Sequence, residues 1–210
     1  MSLFITFEGG EGSGKSSQAK ALYGRLRRRG VPVILVHEPG GTALGQKISR
    51  LLKWAHDTEI SPLGELLLFN AARSQLVSQV IKPALEEGTI VLCDRFTDST
   101  LAYQGYARGL SLEIIEQINR LACQGIEPDI TFLLEMTVEG GLSRKSTRTP
   151  DRFEKEATAF HQKVRQGYLE LARHEPERFW VIDASKPKEE IADIIWQRLD
   201  ELIARQKETS

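Results

Sequence analysis

The stretch that most constrains this chain is FEGGEGSGKSSQ, residues 7–18, which follows the apolar run 3–7 and opens a segment of helical composition. Within it Gly9, Gly14, Lys15 and Ser16 complete the spacing GxxxxGKS, the pattern of a P-loop. A loop that cradles phosphate must turn backbone N–H groups inward at dihedral angles that a Cβ forbids. Gly9, Gly10, Gly12 and Gly14 supply that freedom, with Glu11, Ser13 and Ser17 completing the loop. A helix starting near Lys15 adds its positive end, the Lys15 ammonium reaches the β/γ-phosphates, and the Ser16 hydroxyl suits Mg²⁺. The stretch therefore predicts a strand–loop–helix opening that binds ATP and Mg²⁺.

Periodicity supplies the rest of the framework. Residues 17–29 read as helix closed by Gly30, and the run RLRRR at 25–29 is either a phosphate patch or a solvated helix end that complements the dipole. Apolar or β-branched runs at 33–36, 89–92, 130–134 and 179–182 predict strands, and the fully apolar character of 89–92 suits a strand buried on both faces. Helices are expected at 44–53, from the Ser61–Pro62 start signal to about 87, around 98–106, and at 112–124, 138–144, 153–174 and 187–206. This alternation predicts a single α/β domain over residues 1–210, built on a five-stranded parallel sheet flanked by helices. Residues 144–152, RKSTRTPDR, break the pattern; four basic side chains, Pro150 and no apolar residue predict a mobile cationic lid.

Composition excludes several classes. Charged residues make up 27% and hydrophobic ones 40%, and the net charge of −1 argues against wrapping nucleic acid by bulk electrostatics. Neither a leader-like start nor an apolar run approaching roughly 18 residues is found, so no membrane association and a cytoplasmic location are expected. Cys93 and Cys123 offer neither a CxxC site nor a disulfide framework and read as buried small hydrophobes.

A P-loop alone fixes a cofactor class, and further motifs narrow it. HEPGGT at 37–42, LLLFNAARSQ at 66–75, CDRFTDSTLAYQG at 93–105 and DRFE at 151–154 occur in the order seen in bacterial thymidylate kinases, and the resemblance spans about residues 3–185. That family has the nucleoside monophosphate kinase fold and phosphorylates dTMP with ATP. The variable P-loop positions Gly10, Glu11, Gly12 and Ser13 are not basic, whereas the lid carries Arg144, Lys145, Arg148 and Arg152. The chain thus resembles the kind whose phosphate-clamping arginine sits in the lid. A kinase of dUMP or of a deoxynucleoside on the same fold is the alternative, and the resemblance also implies a homodimer formed through helices beside the sheet.

The resemblance distributes roles over the motifs. Asp94 would orient Mg²⁺ and Arg95 would point at the acceptor phosphate, against the plainer reading of an Asp–Arg structural pair. Lys15, Arg148 and Arg152 would meet the transferring group, and Arg144 would join the ATP site beside 183–185. Phe69 would stack on thymine and Arg73, four residues on, would donate to a thymine carbonyl; without the resemblance Phe69 reads as core. Thr100 and Gln104 would meet the base edge, Tyr103 would crowd the sugar 2′ position, Glu11 would accept from the 3′-OH, and Glu38 belongs to the same pocket. The acceptor phosphate has a second pKa of about 6, so it is already ionised at neutral pH and no histidine is assigned as general base. Two departures stand out. His37 replaces the arginine that usually precedes EPGG, and Ser49 occupies the place of an acceptor-phosphate arginine, with Arg50 one residue, about 100° of helix, away.

Overall fold

The computed structural model describes residues 2–55, 58–144 and 150–208, and of the last helix only the backbone beyond residue 204. Five strands, β1 (Phe4–Glu8), β2 (Val33–His37), β3 (Ile90–Asp94), β4 (Ile130–Glu135) and β5 (Phe179–Asp183), form one parallel sheet in the order β2-β3-β1-β4-β5. The predicted five-stranded parallel arrangement is thus observed. β2 and β3 lie on one side of β1, and β4 and β5 on the other, so the strand order reverses there and a crevice opens beyond the carboxyl ends of β1, β3 and β4. The register brings those ends level, with Phe7 opposite Asp94, His37 opposite Asp94 and Glu135 opposite Asp183. The last residues of several strands therefore converge on one edge.

Both faces of the sheet are covered, which explains the apolar strand sequences. Leu3, Ile5 and Phe7 face α1 (Lys15–Arg28) and the final helix α9 (Lys188–Glu208), packing with Leu22, Leu26, Ile195 and Leu199. Phe4, Val91 and Cys93 face the other layer and meet Leu76, Val77 and Ile81. Thr6 is fully buried in this apolar setting, and its hydroxyl is satisfied by that of Thr131 at 2.7 Å. Both cysteines are buried and unpaired, as expected. No helix among the described residues is long and apolar enough to cross a membrane.

Most helices match the expected spans, and three differ for identifiable reasons. α2 is Ala43–Trp54, capped by the Thr42 hydroxyl, which accepts from Gly45 N at 2.9 Å. The long helix expected from residue 62 is α3 (Pro62–Leu76), a π-helical segment (Val77–Ile81) and α4 (Lys82–Glu86). Pro83 has no N–H to offer the carbonyl of Gln79, and the wider π turn absorbs the missing bond, with Lys82 N donating to Val77 O. The helix expected around 98–106 likewise begins as α5 (Thr97–Thr100) and continues as a π segment (Leu101–Ala107), before α6 (Leu112–Cys123). After the short α7 (Val138–Ser143), α8 runs Thr158–His174, not from residue 153. The Asp151 carboxylate takes the N–H groups of Phe153 and Glu154, each at 3.0 Å, and so holds 151–154 in a turn that postpones the helix.

Candidate active site

The crevice is a cleft of about 650 Å³ whose walls come from the P-loop, the ends of β2 and β3, and helices α2, α3, α5 and the π segment after it. At its P-loop end, close approach dictates glycine. Gly9 and Gly12 hold φ of 139° and 72°, and a Cβ on either would overlap a carbonyl oxygen, that of Leu134 or Gly141 respectively. α1 opens without an acidic residue in its first turn, which leaves its positive end available to an anion. Lys15 Nζ donates to Gly10 O at 2.7 Å and to Ser13 Oγ at 3.3 Å, holding the loop's curvature. The Ser16 hydroxyl makes a short hydrogen bond to the Asp94 carboxylate. Glu11, Gly12, Gly14, Lys15, Ser16 and Ser17 line the cleft, while Gly9, Gly10 and Ser13 form the back of the loop.

A hydrogen-bond network links this loop to the other end. Arg95 follows β3 in a left-handed conformation, φ 71°, rare for a side-chain-bearing residue and a mark of imposed geometry. Its guanidinium donates to Glu11 at 2.8 Å, to Tyr103 Oη at 3.2 Å, to Tyr168 Oη at 3.1 Å and to Ser99 Oγ at 3.2 Å. Tyr103 also donates to Glu11 at 2.9 Å. Burial, opposed by Arg95, holds the Tyr103 phenol well above its ordinary value, so it stays a donor. Beneath lies Glu8, which takes Phe96 N, Ser99 Oγ and Tyr168 Oη at 2.7 Å each. Burial and then the charge of Asp98 push its carboxyl up to about 7, against the pull of Arg95.

The far compartment brings together Glu38, Phe69, Thr100, Tyr103 and Gln104, and adds Phe153 and Asp151, which the sequence analysis did not assign. The Phe69 ring lies 5.7 Å from that of Phe153; half-buried, it both lines the cleft and packs on the core between α3 and α8.

Two expected site residues are placed elsewhere. Arg73 does not line the cleft; it is 1% exposed, and its donors go to Glu38 at 2.9 Å, Asn119 at 2.7 Å, Asn70 at 3.2 Å, Thr100 at 3.3 Å and the Phe96 carbonyl at 3.0 Å. A buried Glu38 carboxylate, which burial pushes up and Arg73 pulls back, needs that cation as its partner. Arg152, expected at the transferring phosphoryl group, is likewise turned away from the cleft wall. It makes a short ion pair with the buried Glu65, donates to Leu52 O at 2.8 Å and lies 4.7 Å over the Phe153 ring. Glu65 is 1% exposed and collects Gln104 and Arg108 as well, so it draws Arg152 by the same logic.

Of the remaining lid residues, Arg144 reaches the cleft and donates to Ala184 O at 3.1 Å, next to the 183–185 loop expected near ATP. Lys145 and Arg148 lie outside the described residues. Arg50 is exposed on α2 and contributes nothing to the wall; Lys53, four residues after Ser49 on the same helix, does. The sequence reading missed Lys53, whose only signal was that spacing. It also missed Tyr168, on α8, and Glu8, whose only signal is an acid at the end of an apolar strand.

The family model described as Thymidylate kinase matches residues 7–195. A thymidylate kinase of Dehalococcoides mccartyi is 55% identical over 208 residues, covering 99% of this chain and 100% of that protein. One of Deinococcus radiodurans is 48% identical over 200 residues, covering 95% and 97%. The crystal structure of thymidylate kinase from Ehrlichia chaffeensis superposes with a TM-score of 0.72 at 38% identity, covering 86% of this chain and 92% of that one. This chain belongs to the thymidylate kinase family.

Proposed function

We propose that the protein transfers the γ-phosphoryl group of ATP to dTMP, giving dTDP and ADP. The observation that carries this reading is a single cleft with a phosphate-cradling loop at one end and a compartment walled by Phe69, Tyr103 and Phe153 at the other. Two anions must be held in line while charge spreads over the group in transit, so positioning and electrostatics supply the catalysis. Lys15 and the P-loop N–H groups hold the donor phosphates, with Arg144 beside the purine end and Arg148 supplying lid charge. Arg95, fixed by Glu11, Tyr103 and Ser99, presents its guanidinium to the acceptor phosphate. Phe69 stacks on the base, Thr100 and Gln104 meet its edge, and Tyr103 fills the space a 2′-hydroxyl would need. Arg73 and Arg152 act from behind the wall by holding Glu38 and Glu65.

The Ser16 hydroxyl and the Asp94 carboxylate already meet, and a donor set of one hydroxyl and one carboxylate fits Mg²⁺, which keeps waters and phosphates as its other ligands. When bound there it neutralises charge on the phosphates. Leu63 and Leu67 on α3 and Ile114 and Leu121 on α6, all exposed, support a homodimer through these helices, which light scattering tests. The activity is tested by incubating the protein with ATP, Mg²⁺ and dTMP, dUMP, ribothymidine monophosphate or thymidine. Formation of dTDP well above the other products is expected, and its absence would sink the proposal.

A further inference from the structure

Lys53 stands in the last turn of α2 and lines the cleft. Its ammonium forms no hydrogen bond or ion pair among the described residues. The charges that act on it are Asp151, Arg95, Glu11 and Asp94, all on the same wall. Each acid is engaged elsewhere: Asp151 by two backbone N–H groups at 3.0 Å, Glu11 by Arg95 at 2.8 Å and Tyr103 at 2.9 Å, Asp94 by the Ser16 hydroxyl. Burial lowers the lysine's pKa and the nearby Arg95 adds to this, with Asp151, Glu11 and Asp94 opposing. A partly desolvated cation beside a second cation, whose three neighbouring acids already answer other donors, gains from a bound dianion. Lys15 already serves the P-loop end, so the anion that Lys53 and Arg95 share lies toward the nucleoside compartment.

We propose that Lys53 binds the phosphate of the acceptor nucleotide together with Arg95, replacing a cation at Ser49 by one a helical turn further along α2. Arg50, the nearer basic residue in sequence, is exposed and takes no part. The inference rests on the reading of the acceptor as a nucleoside monophosphate, and a compact ammonium suits it because a lysine supplies a point charge and rotatable donors where no rigid fork is demanded.

Binding of dTMP and of thymidine, measured by calorimetry on the full chain, separates the phosphate contribution from that of the nucleoside. Lys53→Met is expected to weaken dTMP by roughly 10-fold or more, as for a lost hydrogen bond to a charged group, and to leave thymidine and ATP within about twofold. Lys53→Arg should recover most of the loss, and Arg50→Met should match the wild type; Lys53→Gln serves as a second neutral variant should the methionine disturb folding. Unchanged dTMP affinity in both neutral variants, equal loss of dTMP and thymidine, or a loss that appears in Arg50→Met would each overturn the proposal. A wild type that makes no dTDP removes the proposed function and this inference with it. A wild type that does, paired with a Lys53→Met that binds dTMP equally well, removes this inference alone.

Discussion

The two ends of the cleft are built by different means. The P-loop end comes from ten consecutive residues or so, in which backbone N–H groups, a helix terminus and one lysine do the binding, and glycines are required where a neighbouring carbonyl leaves no room for a Cβ. The acceptor end is assembled from the ends of β2 and β3, α2, α3, the π segment after α5 and the turn before α8, and it works through side chains. Its wall rests on buried carboxylates, Glu38 lining the cleft and Glu8 and Glu65 behind it, each held by donors from distant parts of the chain. A local motif can be read from spacing. A compartment made of paired buried charges depends on every partner, so its residues serve stability and recognition together.

That difference predicts where mutations register. The largest effect is expected from Arg73→Ala, which leaves Glu38 buried without its cation and should cost about 3–5 kcal/mol of stability in urea unfolding. A loss below roughly 1 kcal/mol, the worth of an exposed pair, would show that the acceptor end does not rest on buried pairs. Lys15→Ala should do the reverse, lowering turnover by ~10²–10³, about 3–4 kcal/mol, as expected for loss of one preorganised electrostatic contact, with the unfolding midpoint little changed. If that variant unfolds instead, the P-loop end is no more separable from the fold than its counterpart. Phe69→Ala should weaken dTMP binding by ~1–3 kcal/mol through lost stacking and leave ATP binding intact, as titration of each nucleotide would reveal.

The smallest effect concerns pH. The Glu8 carboxyl titrates near 7 in the folded state against an ordinary value of 4.5, raised by burial and by Asp98. Between those values the folded chain keeps a proton that the unfolded chain has released, so stability should fall as pH rises through this window. The slope cannot exceed about 1.4 kcal/mol per pH unit for one group. Glu8→Gln should flatten it when unfolding is followed from about pH 5 to 7.5; an unchanged slope would assign the pH dependence to other groups.

The sheet and its order of elements were readable because parallel strands buried on both faces must be largely apolar, and β1, β3 and β4 are, apart from the paired Thr6 and Thr131 and the acid that ends each strand. Helix ends were readable where a local cap writes them, as at Ser61. They were misread where a side chain from outside the helix pattern intervenes, as Asp151 does before α8. Phe69 and Arg73 illustrate the same limit within one helix. Their spacing puts them on neighbouring turns, yet one lines the cleft while the other is drawn beneath it by Glu38, a residue 35 positions earlier.

The amino-acid sequence by itself determined the phosphate loop, the parallel sheet and the residue types gathered around the cleft, since all three follow from local spacing and apolar pattern. Only the tertiary structure decided how the charges are shared: that Arg73 and Arg152 answer buried carboxylates, that Arg95 is pinned by Glu11, and that Lys53 reaches the wall while Arg50 does not. The reason is electrostatic. A charged side chain takes the partner that most needs it in the low-dielectric interior, and that partner is chosen by burial and proximity in space, quantities that sequence spacing does not contain.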